Sequence, residues 1–216
     1  MTEYDLRTES GLAHYLLPNI HFEAQVFEEM FRSAEERLKL LTNAYAENRD
    51  ARYPDQRVEE AIVDEGAEIN AMRIDIAEIA LTAIFHWVER RCNGLASMKD
   101  SSFKSSNLRP HFQDSVMALK KCGVYAKSIE QYELIDSVLR PFANSWKHND
   151  GPNPQLLAVL GIAQEVPNLL DDHEVTKALA RKINLDAASL SVIVSRYARE
   201  ALNFLDSMYR LAYPQT

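Results

Sequence analysis

"INAMRIDIAEIALTAIFHW", residues 69–87, decides the fold. Ile69, Met72, Ile76, Ile79, Ala80, Ala83 and Trp87 recur at spacings of three and four. That period lays them along one face of an α-helix and fits no strand. Extending the stripe both ways predicts a helix from about Asp55 to Cys92, with Gly66 as a bend and "CNG" as its C-terminal stop.

The same rule holds upstream. Phe27, Met30, Phe31, Ala34, Leu38, Leu41 and Tyr45 form a second stripe, preceded by Pro18 and closed by "ENRDARYPD". Downstream, Leu108, Phe112, Val116 and Leu119 mark a shorter helix, and a further one spans about Ser128–His148. Short helices are expected near Gln155–Glu165 and again before Asp186. The last long helix, from about Ala187 to Leu211, carries Leu190, Ile193, Val194, Tyr197, Ala201, Phe204, Leu205 and Met208. Glycine is scarce, with six in 216 residues, and no two-residue hairpin signal separates alternating apolar runs. The expectation is an all-α, up-and-down bundle with two long N-terminal helices and a long C-terminal helix. It forms one domain over 1–216, with a helical core over about 18–212. "ASMKDSSFKSS", residues 96–106, has few apolar anchors and reads as a mobile connection.

Hydrophobic residues make up 46 % of the chain, as in ordinary globular proteins. No apolar run approaches the roughly 18 residues of a membrane-spanning helix, and "MTEYDLRTES" is no secretory leader. Two cysteines, Cys92 and Cys122, suit a reducing, cytoplasmic home, although they are free to pair. The net charge of −8 argues against a general coat for nucleic acid. It is unevenly spread: residues 1–94 sum to −9, residues 95–149 to +3 and residues 150–216 to −2. A local basic segment on an acidic chain is a place for an anion.

Several chemistries drop out. A di-iron bundle needs Glu-x-x-His on two helices, and the chain contains none; "HWVE" (His86–Glu89) runs in reverse order and occurs once. Zinc-type cysteine pairs, His-Glu-x-x-His and phosphate-cradling glycine loops are absent, so no metal and no cofactor is expected. The break at Asn184–Asp186 has a helix-turn-helix flavour, but "AASLSVIVS" offers no Arg, Asn or Gln for base edges. Trp87 and Trp146 lie on apolar stripes and read as core.

The basic segment ends in "RPFANSWKHNDGPNP", residues 140–154. At about 100° per residue, Tyr132, Ile135, Leu139, Phe142 and Trp146 share a stripe about 80° wide. Asn144 and His148 lie on roughly the opposite side, with Arg140 and Lys147 between. Ser145 and Asp150 are near enough in sequence to orient a ligand there. A helix end tidying its own carbonyls explains the same residues: His and Lys offset the helix dipole, and Asn149, Asp150 and Gly151 leave the helix.

"FANSWKHNDG" after a hydrophobic helix resembles the signature helix of HEPN-domain proteins, all-α domains common in bacterial toxin and antiviral systems. Their pattern is Arg, four to six residues, then His, often written Arg-Asn-x-x-x-His. Asn144, Lys147, His148 and Asn149 match its second half. "AIFHWVERRCN" is similar to the family's preceding helix, with Glu89 at a polar position often found there, and "VSRYAREALNFLDSMYRL" to its ending. The resemblance implies metal-independent RNA cleavage through the 2′-hydroxyl. His148 would move the proton, Arg140 or Lys147 would meet the phosphorane charge, and Asn144 would hold the imidazole or a phosphate oxygen. Asp150 and Glu89 would contact substrate. It also implies a homodimer, because family sites commonly form on a two-fold axis, and a cognate antitoxin or other partner. The chain departs from the pattern at Ala143, where the catalytic arginine usually stands. Arg140 to His148 is eight positions, a rotation of about 80°, so the two do not share a face cleanly. This departure implies a relative that binds RNA or a partner without cutting. The alternative from another class is a noncatalytic helical interaction protein whose acidic first half binds a basic partner.

Overall fold

A computed structural model describes residues 5–103, 111–146 and 187–214. The architecture is all-α, as expected, and the described residues contain no strand. Helix α1 spans Glu9–Asp50 and α2 spans Gln56–Lys99. Helix α3 covers Phe112–Lys121. A 3-10 turn at Ala126–Ser128 leads to a π-helical segment at Leu134–Leu139, which continues directly into α4, Arg140–Trp146. The C-terminal helix α5 runs over Ala187–Ala212.

Helix α1 starts well before Pro18 and runs through it. Thr8 sets the start: its Oγ1 accepts from the Gly11 N–H at 3.0 Å. A proline inside a helix removes one backbone hydrogen bond. Burial of Leu12 and Leu16, 1 % and 2 % exposed, holds this first part of the helix against the bundle. The helical core therefore begins near residue 9, not 18.

Helix α2 also exceeds its expected end. It passes Gly66 without interruption, and passes Cys92 and Gly94 to end at Lys99. Leu95 and Ala96 are both fully buried, so packing carries the helix beyond the glycine. The expected mobile connection over 96–106 is corrected accordingly. Residues 96–99 are helical, and Asp100 organises a turn through its Oδ1, which accepts from the Ser102 N–H and Oγ at 2.9 and 2.6 Å. Residues 104–106, Leu108 and the two short helices expected between 155 and 186 lie outside the described residues. Helix α3 ends at Cys122–Gly123, where Gly123 takes a φ of +83°, the left-handed conformation that glycine adopts without a side-chain clash.

The expected single helix over 128–148 begins later, near Tyr132, and is π-wound over Leu134–Leu139 before it continues as α4. Its apolar stripe survives: Tyr132, Ile135, Leu139 and Phe142 are all buried, with Ala143 beside them. The π-segment turns more slowly than an α-helix, so residues four apart, Ile135, Leu139 and Ala143, stay on the core side.

Helices α1 and α2 form an antiparallel hairpin. At its tip, Asn48 exchanges two hydrogen bonds with the Asp55 backbone at 3.0 and 3.1 Å, and Tyr45 Oη donates to Glu59 at 2.8 Å. Helix α5 lies antiparallel to α1 and parallel to α2. Arg210 holds Glu9 and Ser195 reaches Glu28 on α1, while Tyr209 Oη donates to the Arg91 carbonyl and Lys99 Nζ donates to the Ala212 carbonyl. The main core fills the space between α1, α2, α3, α4 and α5. Phe112 is at its centre, with Phe85, Tyr132 and Phe204 at ring-centroid distances of 6.0, 6.3 and 6.2 Å. Toward the hairpin tip a separate small cluster forms from Ala34, Leu41 and Ile69, flanked by Leu38 and Ile62.

Between the two clusters lies Arg73, fully buried, with Glu35 of α1 at 3.7 Å. Burial pushes the Arg73 pKa below its ordinary value, and the Glu35 charge opposes that shift. Removing the carboxylate takes a counter-charge away from a buried cation. Glu35→Ala should cost about 1–3 kcal/mol in urea unfolding, less than a fully buried pair because Glu35 is one-third exposed. The apolar pair Arg73→Met with Glu35→Leu should be neutral or stabilising. Equal losses in both variants would show that the ion pair is not what the site needs.

Candidate functional site

The sequence nominates six residues: Arg140, Asn144, Lys147, His148, Asp150 and Glu89. Three of them are described. Lys147, His148 and Asp150 lie outside the described residues, as does the side chain of Trp146.

Arg140 opens α4 and is partly exposed. Its Nε donates to Asp136 Oδ1 at 2.7 Å, one helical turn back. Asp136 also accepts from Gln113 Nε2 at 2.5 Å and from Tyr132 Oη at 3.2 Å, and Gln113 donates to Tyr132 Oη at 3.2 Å. The Tyr132 phenol is pushed above its ordinary pKa chiefly by burial, with the negative charge of Asp136 adding to it. One carboxylate thus gathers a guanidinium, an amide and a phenol from three points of the chain.

Glu89 sits on α2 across the seam. Its Oε1 accepts the Phe112 backbone N–H at 3.1 Å, satisfying one of the donors that the start of α3 leaves open. Its Oε2 is 3.4 Å from His86 Nδ1. A few residues on, Ser115 Oγ donates to Asn93 Oδ1. The seam between α2, α3 and the π-segment is therefore polar from His86 to Arg140, and its groups satisfy one another. Glu89 thus fastens α3 to α2 through the Phe112 N–H while its side chain stays partly exposed.

Asn144 is exposed on α4, while its neighbour Ala143 is fully buried. The two adjacent positions thus face in different directions. The structure brings Arg140 to Asp136, Tyr132 and Gln113, and leaves Asn144 on the surface. Asp136 was legible in principle, because "DSVLR" spaces Asp136 and Arg140 as an i, i+4 ion pair. Gln113 and Tyr132 join only through tertiary packing and give no local signal.

Among the described residues no group of three or more His, Cys, Asp or Glu side chains is placed to share a metal ion. None of the described helices is long and apolar enough to cross a membrane. The fold and the seam define a helical bundle with an internally satisfied polar joint. Comparison with protein-family models, curated proteins and solved structures finds no match to this chain.

Proposed function

We propose that this chain is a HEPN-like helical protein of a toxin–antitoxin or antiviral system that binds RNA without cutting it. One observation carries the noncatalytic part. The position where the family's catalytic arginine stands is Ala143, and that position is fully buried. Arg140, three positions earlier in the sequence, is engaged by Asp136 at 2.7 Å. A phosphorane needs a cation aimed at its developing charge, and a guanidinium already neutralised by a carboxylate supplies that poorly. RNA as the ligand rests on the resemblance and on the basic segment 95–149, where Lys120, Lys121 and Lys127 are exposed for phosphate contacts. A cytoplasmic home and a homodimer belong to the same proposal.

The test incubates purified protein with mixed RNA, with and without chelator, beside His148→Ala. We expect no cleavage by either protein, and a gel shift that weakens steeply as salt rises. Cleavage by the parent chain that falls about 10²–10⁴-fold in His148→Ala would identify a nuclease and overturn this reading.

A second reading is favoured by the charge of the α1–α2 hairpin. Between Glu35 and Glu68 it carries ten carboxylates against five cations. On this reading the chain is an interaction protein, and its partner, an antitoxin or another protein, is basic.

A further inference from the structure

A groove opens along the α1–α2 hairpin on the tip side of the main core. One part, about 370 Å³, has a floor of Leu38, Leu41, Ile62 and Val63, with Gly66 at its edge. A second hollow, about 630 Å³, shares Val63 and lies beside the first on α2 and its lead-in alone, lined by Pro54, Gln56, Glu59, Glu60 and Asp64. Val63 is 56 % exposed, a large apolar side chain left open among the described residues. From Pro54 to Ala67 the two hollows span fourteen positions of α2 and its lead-in, nine of which line them. At 1.5 Å per residue this is about 20 Å, the length of roughly four helical turns.

We propose that this groove docks a basic amphipathic helix of a partner protein, which lays its apolar face on Leu38, Ile62 and Val63 and its lysines or arginines against Glu60 and Asp64. The inference deepens the partner-binding reading and is independent of the RNA reading.

Charge complementarity selects this occupant. Glu60 and Asp64 are exposed one turn apart on the same helix, and like charges at that spacing repel. A cation between them relieves the repulsion and joins apolar and electrostatic recognition in one mode. A second copy of this chain would bring another acidic hairpin to the same rim.

Gly66 points the same way. A glycine inside a helix costs about 1 kcal/mol relative to alanine. Here no interior contact requires it: a Cβ built at Gly66 meets no heavy atom within 4 Å. Its bareness is useful where another backbone must approach the groove wall closely.

The experiment uses the full chain and a fluorescein-labelled, 18-residue Leu/Lys amphipathic peptide, read by fluorescence anisotropy at physiological salt. A Leu/Glu peptide with the same apolar face is the control. We expect the Leu/Lys peptide to bind and the Leu/Glu peptide not to. Gly66→Leu, which fills the groove from an open position, should weaken binding about tenfold or more, with the helical circular dichroism kept. The double reversal Glu60→Lys and Asp64→Lys should do the same, and it decides the matter if Gly66→Leu does not fold. Equal binding of the two peptides, or binding unchanged in both variants, overturns the proposal. A parent dimer that Gly66→Leu converts to monomer in sedimentation also overturns it, because the groove is then a contact between copies. The RNA gel shift of Gly66→Leu should match the parent, so failure of the RNA reading is seen separately.

Discussion

Ala143→Arg, which restores the arginine of the HEPN pattern, should destabilise the protein by about 4 kcal/mol or more and yield no ribonuclease. The wild-type side chain is fully buried, between Phe142, also fully buried, and exposed Asn144. Overpacking a filled core costs about 1–3 kcal/mol by itself. The guanidinium stays charged where an alanine methyl was buried, and its desolvation adds several kcal/mol. Thermal unfolding by circular dichroism checks the first part, and RNA incubation checks the second. A variant that melts with the parent and cuts RNA would show that position 143 turns outward in the working state. It would also restore the catalytic reading.

Phe112→Ala should remove about 3–5 kcal/mol, measured as a shift in the urea midpoint at constant slope. Phe112 is 1 % exposed and touches aromatic rings from three other parts of the chain: Phe85 of α2, Tyr132 before the π-segment and Phe204 of α5. Truncation leaves a cavity lined by those rings and removes their edge and stacking contacts together. Its backbone N–H is also the group that Glu89 accepts, so movement of α3 into the cavity would strain that bond as well. Phe112→Leu should recover more than half of the loss. If Phe112→Ala cost under about 1 kcal/mol, the aromatic cluster would not be the centre of the core.

The long helices were legible because their stripes are long. Every apolar position read on α5, from Leu190 to Met208, is buried or packed against the core. The stripes were drawn too wide on the hairpin, where Met30, Met72 and Ile79 are each more than two-fifths exposed. Met30 and Ile79 adjoin the buried Phe31 and Ala80 in sequence, so the buried arc of each helix is narrower than the stripe drawn. Glycine misled at Gly66 and Gly94, which α2 passes, and the glycine that does follow a helix end, Gly123, was not singled out. Composition cannot distinguish a glycine that terminates a helix from one that a buried Leu95 carries onward. The π-segment was invisible, since a reading at 100° per residue assumes the α-helical winding throughout. For the site, Arg140 was found and its partner Asp136 was not. The sequence presents cations as available until tertiary structure shows which are already satisfied.

The two clusters of the hairpin also set an order of events in time. The tip contacts, Asn48 with Asp55, Tyr45 with Glu59 and Arg37 with Glu65, close loops of 7, 14 and 28 residues. The contacts that seat α5, such as Lys99 with Ala212 and Glu9 with Arg210, span 113 and 201 residues. Loop closure grows dearer in entropy with length, so local contacts are reached first. The acidic hairpin is thus the segment most able to assemble early in folding, while α5 docks late and completes the core. On a ribosome the order is stricter. The chain has its hairpin in hand long before residue 187 is made, and the apolar faces that α5 will cover stand open for the whole of that interval.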